Sequence, residues 1–125
     1  MINNKFPKWV YWTPTIIWML VIFGFSARPV FHASVIDWQD FFIKKTAHFV
    51  EYFILALLMY FSFRRTTSLS RSFCLLYTII ITIMYAVTDE FHQTFVPGRE
   101  GRFRDVLIDS SGVFMFVLLR RFKPS

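Results

Sequence analysis

Four apolar runs separated by short polar stretches constrain this chain more than any other feature. They are Trp9–Phe25, Ala47–Phe63, Phe73–Phe91 and Val106–Leu119. Each is near the length a helix needs to cross a hydrocarbon core of about 30 Å. The fourth is the shortest, and polar residues flank its start. Backbone amides inside a bilayer must be satisfied within their own segment, so the runs read as helices. The expected fold class is an all-α integral membrane bundle of about four transmembrane helices. No repeat, low-complexity stretch or linker divides the 125 residues, which are expected to form a single domain over 1–125.

Composition supports lipid as the solvent. Seventeen Phe and four Trp are more than a soluble domain of this size could cover, since it buries only roughly two-thirds of its chain surface. Charged residues make up 18%, below the soluble average of about 25%. The net charge of +6 raises nucleic acid as a partner. The basic residues lie beside apolar runs, however, which fits anchoring at membrane–water boundaries and contact with anionic headgroups. The expected partner is therefore the lipid bilayer, with no nucleic acid. Cys74 is the sole cysteine, so no intramolecular disulfide forms, and its apolar setting reads as packing. Lys5 and Lys8 precede the first run in the manner of a signal peptide. That run is longer than a usual signal core, and Phe25 is bulky where cleavage wants a small residue, so it reads as a retained span.

Orientation follows from Lys and Arg in the short loops. The N-terminal tail, the loop with Arg64, Arg65 and Arg71, and the C-terminal tail share one side. Together they hold eight basic residues, against six in the other two loops (Arg28, Lys44, Lys45, Arg99, Arg102 and Arg104). The balance favours a multi-pass cell-membrane protein with both termini cytoplasmic.

On that topology the polar residues collect at one membrane face. Lys45, His48, Glu51 and Tyr52 open the second span. Asp89, Glu90, His92 and Gln93 close the third. Arg99, Asp105 and Asp109 lie around the start of the fourth. At 100° per residue, Lys45, His48, Glu51 and Tyr52 occupy one arc of roughly 120°. Asp89, His92 and Gln93 share a face, and Glu90 points away from it. Asp105, Asp109 and Gly112 form a stripe, and a glycine there lets a neighbouring helix approach closely. Asp105 also fits the N-cap of the fourth span. Ionisable groups in a span are costly, on the order of 2–3 kcal/mol for an unpaired carboxylate such as Asp89, and they usually line a functional cavity. The expectation is a polar pocket roofed by Thr94–Arg104, with a turn at Pro97-Gly98.

Three segments together resemble the VanZ-like family. They are Lys45-Thr46-Ala47-His48-Phe49-Val50-Glu51-Tyr52, then Thr88-Asp89-Glu90-Phe91-His92-Gln93 with Pro97-Gly98-Arg99, then Asp105 to Asp109 with Gly112. The resemblance covers about Phe23 to Leu118. The family is named for a protein associated with teicoplanin resistance, and many relatives are membrane proteins of unassigned activity. The resemblance therefore implies the cell envelope, lipid-linked precursors or surface access of lipoglycopeptides. The chain departs from the family pattern in two places. Ser26-Ala27-Arg28 stands where a Ser-Ser-Gln-like end is common, and Asp109 stands where Asn is common, which places Asp109 with Glu90 and Gln93 behind Glu51, Asp89 and Asp105.

The leading functional expectation is binding or modification of a phosphate-bearing or lipid-linked headgroup at the outer face. Lys45 and Arg99, with Arg28, would hold anionic oxygens. Asp89, His92, His48 and Glu51 would orient the headgroup or transfer protons. Tyr52, Glu90, Gln93, Asp105 and Asp109 would line the ligand. No committed nucleophile stands out, and no cofactor is specified. One alternative is a metal-dependent hydrolase using His48-x-x-Glu51 and Asp89-x-x-His92 with Asp105, although no His-Glu-x-x-His occurs. Another is a structural partner whose polar residues lock the bundle. An ion path is disfavoured, because the inner halves of the spans read as almost wholly apolar.

Overall fold

The computed structural model describes residues 6–27, 37–95 and 103–122, with side chains over 6–25, 45–95 and 106–122. Among the described residues the chain forms four helices and no strands. Helix α1 spans Lys8–Ala27, α2 Asp37–Thr66, α3 Arg71–Gln93 and α4 Phe103–Arg121. Three stretches, Lys8–Phe25, Lys45–Thr66 and Arg71–Gln93, are long and apolar enough to cross a membrane. Helix α4 has 19 residues, which at 1.5 Å per residue is about 28 Å. Its composition is interrupted by Asp109-Ser110-Ser111-Gly112, and packing against α2 and α3 buries Asp109, Ser110 and Gly112. It belongs among apolar surroundings only in the company of those two helices.

Local chemistry sets the helix ends. Pro7 accepts the first turn bond of α1 from the Val10 amide at 3.0 Å. Pro14 lies inside α1 and cannot donate to the carbonyl four residues back. The Ser70 hydroxyl caps α3 by accepting from the Phe73 amide at 3.4 Å. The far end of α3 closes with the Thr94 amide on the Phe91 carbonyl at 3.2 Å and the Phe95 amide on the His92 carbonyl at 3.0 Å. Helix α2 starts at Asp37, ten residues ahead of its apolar run. Helix α4 starts at Phe103, so Asp105 lies inside its first turn rather than at the cap position expected from sequence.

Helices α2 and α3 form the middle of the bundle. Each touches α1 on one side and α4 on the other, while α1 and α4 do not meet among the described residues. The core is built from Tyr52, Leu55, Ala56, Met59 and Tyr60 of α2, with Ile22, Ala86, Val113 and Phe116 against them. Ile16, Ile17, Leu20, Leu76, Ile80, Met84, Leu107, Phe114 and Leu118 face outward. A belt of that kind exceeds what a soluble monomer exposes, and here it is the lipid-facing surface.

The half of the bundle away from the acidic residues is less apolar than its sequence reads. Thr15, Ser62, Thr66, Thr78 and Thr82 are buried there or at mid-depth. The Thr15 and Ser62 hydroxyls are 2.7 Å apart across α1 and α2. Thr66 donates to the Ser62 carbonyl at 2.7 Å and accepts from the Trp12 indole at 3.2 Å. These are uncharged groups whose alternative partners in lipid are few, so they tie helices together.

Candidate functional site

The antiparallel order brings the carboxyl end of α3 level with the amino-terminal halves of α2 and α4. At that level α4 comes very close to α2. A Cβ built at Gly112 would collide with the Phe49 carbonyl oxygen and would lie 3.1 Å from the Phe53 amide nitrogen. Only a residue without a side chain permits this approach. Asp109 stands one turn before Gly112, and His48 adjoins Phe49. The approach therefore carries Asp109 to His48, whose Nδ1 lies 3.3 Å from Asp109 Oδ1. That spacing allows charge attraction but falls short of a well-aligned hydrogen bond. Asp109 is fully buried, and His48 keeps 17% of its side chain exposed. Glu51 reaches the same nitrogen from one turn along α2, at 3.8 Å.

A second group lies between α2 and α3. The Tyr52 hydroxyl, fully buried, donates to Asp89 Oδ2 at 3.4 Å, and the Gln93 amide donates to the same oxygen at 3.3 Å. The spacing of Asp89 and Gln93, four residues on one helix, makes this geometry available. Glu90 is also buried, at 5% exposure, although it turns away from the Asp89 face. The reason is that α3 has neighbours on both flanks, so its buried arc is wide.

His92 goes elsewhere. It is partly exposed, and its ring sits 4.6 Å from that of Phe23 on α1. Two further ties fix α1 at this level. The Trp18 indole donates to the Glu51 carbonyl at 2.9 Å, and the Tyr85 hydroxyl donates to the Met19 carbonyl at 2.5 Å. The expected layer is therefore three adjoining groups: His48, Glu51 and Asp109; Tyr52, Asp89 and Gln93; and His92 with Phe23. Lys45 precedes His48 by one turn and is partly exposed. Arg99 and most of the expected roof lie outside the described residues, as does the side chain of Asp105.

A family model described as VanZ/LLP1 matches residues 3–123. The chain belongs to the VanZ/LLP1 family. No curated protein and no solved structure matches it significantly. All the candidate residues fall within the VanZ/LLP1 match. Sequence reasoning ranked Asp109 low because Asn is common at that position of the VanZ-like pattern, yet it is the most enclosed acid of the described site. The signal that pointed to it was Gly112 three residues on. Trp18, Phe23 and Tyr85 were not singled out in the sequence. Their polar atoms and rings gain meaning only from neighbouring helices. Among the described residues no three His, Cys, Asp or Glu side chains are grouped so as to hold a metal ion.

Proposed function

We propose that this VanZ/LLP1 membrane protein binds or modifies a lipid-linked or phosphate-bearing headgroup at the extracytoplasmic face of the cell envelope. The observation that carries the reading is the contact between His48 and Asp109. An imidazole whose Nδ1 faces a buried carboxylate keeps its other nitrogen available for a proton. That division of labour is the one general bases use. Headgroup chemistry at a membrane surface calls for proton exchange beside cationic groups. Lys45 on the same face of α2, and Arg99 in the connection to α4, are the residues offered for anionic oxygens. The outward-facing apolar surface of every helix gives a lipid-borne ligand a lateral approach. The loop charges support placing both termini in the cytoplasm and the His48 end outside. A link to teicoplanin or lipoglycopeptide tolerance follows from the family association and would act through such a ligand.

A second reading is favoured by the ties themselves. His48 to Asp109 and Tyr52 to Asp89 each join two helices, as residues that only lock a bundle would. Thermal unfolding in detergent separates the two. A ligand that binds the folded protein alone raises stability by about 2.7 kcal/mol at a hundred times its Kd. A short-chain polyprenyl phosphate should raise the Tm of the wild type clearly more than that of a folded His48→Gln variant. An equal rise in both, or none in either, contradicts the headgroup reading. Recovery of the lipid intact marks a binding protein, and recovery of an altered headgroup marks a catalyst.

A further inference from the structure

The eight acidic residues of the chain are Asp37, Asp40, Glu51, Asp89, Glu90, Glu100, Asp105 and Asp109. All belong to the His48 end of the bundle or to the connections there. The opposite end carries Lys8, Arg64, Arg65, Arg71, Arg120 and Arg121, and no acidic side chain. Counter-charge for that end must come largely from outside the protein.

One of these arginines is held in place. Arg120 is the first charged residue after the apolar stretch Val113–Leu119 of α4, so it stands where hydrocarbon gives way to headgroups. Its guanidinium carbon lies 5.3 Å from the ring centre of Tyr60 and 5.7 Å from that of Phe61, both on α2. Tyr60 is a core residue at 1% exposure, so its side of the platform is fixed, while Phe61 is exposed. The cation lies over both rings, which attract it electrostatically, and the guanidinium donates no side-chain hydrogen bond to the described residues. The Arg120 Nε is buried and has no hydrogen-bond partner among the described residues. A charged donor in that position is costly unless an acceptor reaches it. Arg64 follows Tyr60 by four residues and shares its face of α2, on the same seam with α4. Arg120 and Arg64 therefore belong to neighbouring helices at the same end of the α2–α4 contact. Nearby, the amino end of α3 has no acid in its first turn and adds the positive end of its dipole.

We propose that the seam of α2 and α4 at this end binds a phosphate group, supplied by an anionic phospholipid, between Arg120 and Arg64. The terminal amines of the Arg120 guanidinium take the phosphate oxygens while the Tyr60 and Phe61 rings hold the cation in place. Arg64 adds the second cation. This site is separate from the His48 layer and stands whichever way the bundle crosses the membrane.

The test is native mass spectrometry of the protein in detergent, titrated with phosphatidylglycerol, phosphatidylcholine or inorganic phosphate. The wild type should retain one phosphatidylglycerol in clear preference to phosphatidylcholine. Arg120→Gln should weaken that binding about tenfold or more, and Arg121→Gln, at an exposed neighbouring position, should leave it unchanged. Should Arg120→Gln unfold, Arg120→Lys keeps the charge, loses the stacked fork, and should still weaken binding. Equal losses at positions 120 and 121 would overturn the proposal, since they would mark diffuse surface charge. So would equal retention of phosphatidylcholine. Displacement of the lipid by millimolar inorganic phosphate would overturn the lipid as the source of the phosphate.

Discussion

Replacing Gly112 with alanine adds one carbon to α4 at a point already filled by backbone of α2. The atoms in the way are the Phe49 carbonyl oxygen, the Phe53 nitrogen at 3.1 Å and the Phe49 carbonyl carbon at 3.2 Å. Backbone atoms cannot swing aside as a side chain can, so the helices must separate. Overpacking of this kind costs about 1–3 kcal/mol. For a chain of this size that is a fall in Tm of roughly 4–12 °C. The His48 Nδ1 to Asp109 Oδ1 distance of 3.3 Å leaves ion-pair range after a further separation of roughly 0.7 Å. Gly112→Ala should therefore lower stability and also abolish headgroup retention, with a folded helical spectrum preserved. Gly112→Val should do both more severely. Thermal melts in detergent beside lipid retention measure the two effects. Retention at the wild-type level in Gly112→Ala would refute the argument that the close approach assembles the dyad.

Other perturbations separate the parts of the account. A double-mutant cycle of His48→Gln and Asp109→Asn should show a coupling of roughly 0.5–3 kcal/mol, and additive effects on Tm would mean that the two groups do not act together. Tyr52→Phe removes one donor to Asp89 and should cost about 0.5–1.5 kcal/mol in detergent melts; an unchanged melt would show that the 3.4 Å contact contributes nothing. Ser62→Ala breaks the hydroxyl layer far from the site, so it should lower Tm by a similar amount with lipid retention intact, and loss of retention would mean that the two layers are coupled. In a Cys74→Ser background, an impermeant thiol reagent applied to intact cells should label Thr94→Cys and spare Ser68→Cys; the reverse pattern would invert the proposed orientation.

The first three helices were legible because their apolar runs are long enough to be read without neighbours, whereas α4 depends on α2 and α3 to cover Asp109, Ser110 and Gly112. Their limits were less so: nothing in the apolarity of Ala47–Phe63 reveals that α2 starts at Asp37. The polar layer was legible as a level in the membrane, since topology alone puts the ends of the spans together. Its internal pairings were not. Helical spacing put Asp89 and Gln93 on one face, and they do share an oxygen contact. It grouped His92 with them, whereas His92 turns to Phe23, because a single-helix wheel carries no information about α1. Glu90 is buried for the same kind of reason, through neighbours on both flanks of α3. The hydroxyl layer of Thr15, Ser62 and Thr66 was hidden by the small polarity of Ser and Thr within apolar runs, although Ser62 and Thr66 at four-residue spacing carried a trace of it. Gly112 was the most telling single residue, since a small side chain on the stripe of Asp109 announced the helix contact that brings Asp109 to His48.

The His48 end of this VanZ/LLP1 protein is proposed to hold a lipid-borne headgroup. Native mass spectrometry of the purified wild type beside Asp89→Ala, each checked for folding by thermal melt, tests it most directly. The wild type should carry a phosphate-bearing envelope lipid that the folded variant lacks, over and above any phospholipid that both retain through Arg120. The same bulk lipids on both proteins, in the same amounts, would contradict it and leave the polar layer as a device that locks the bundle.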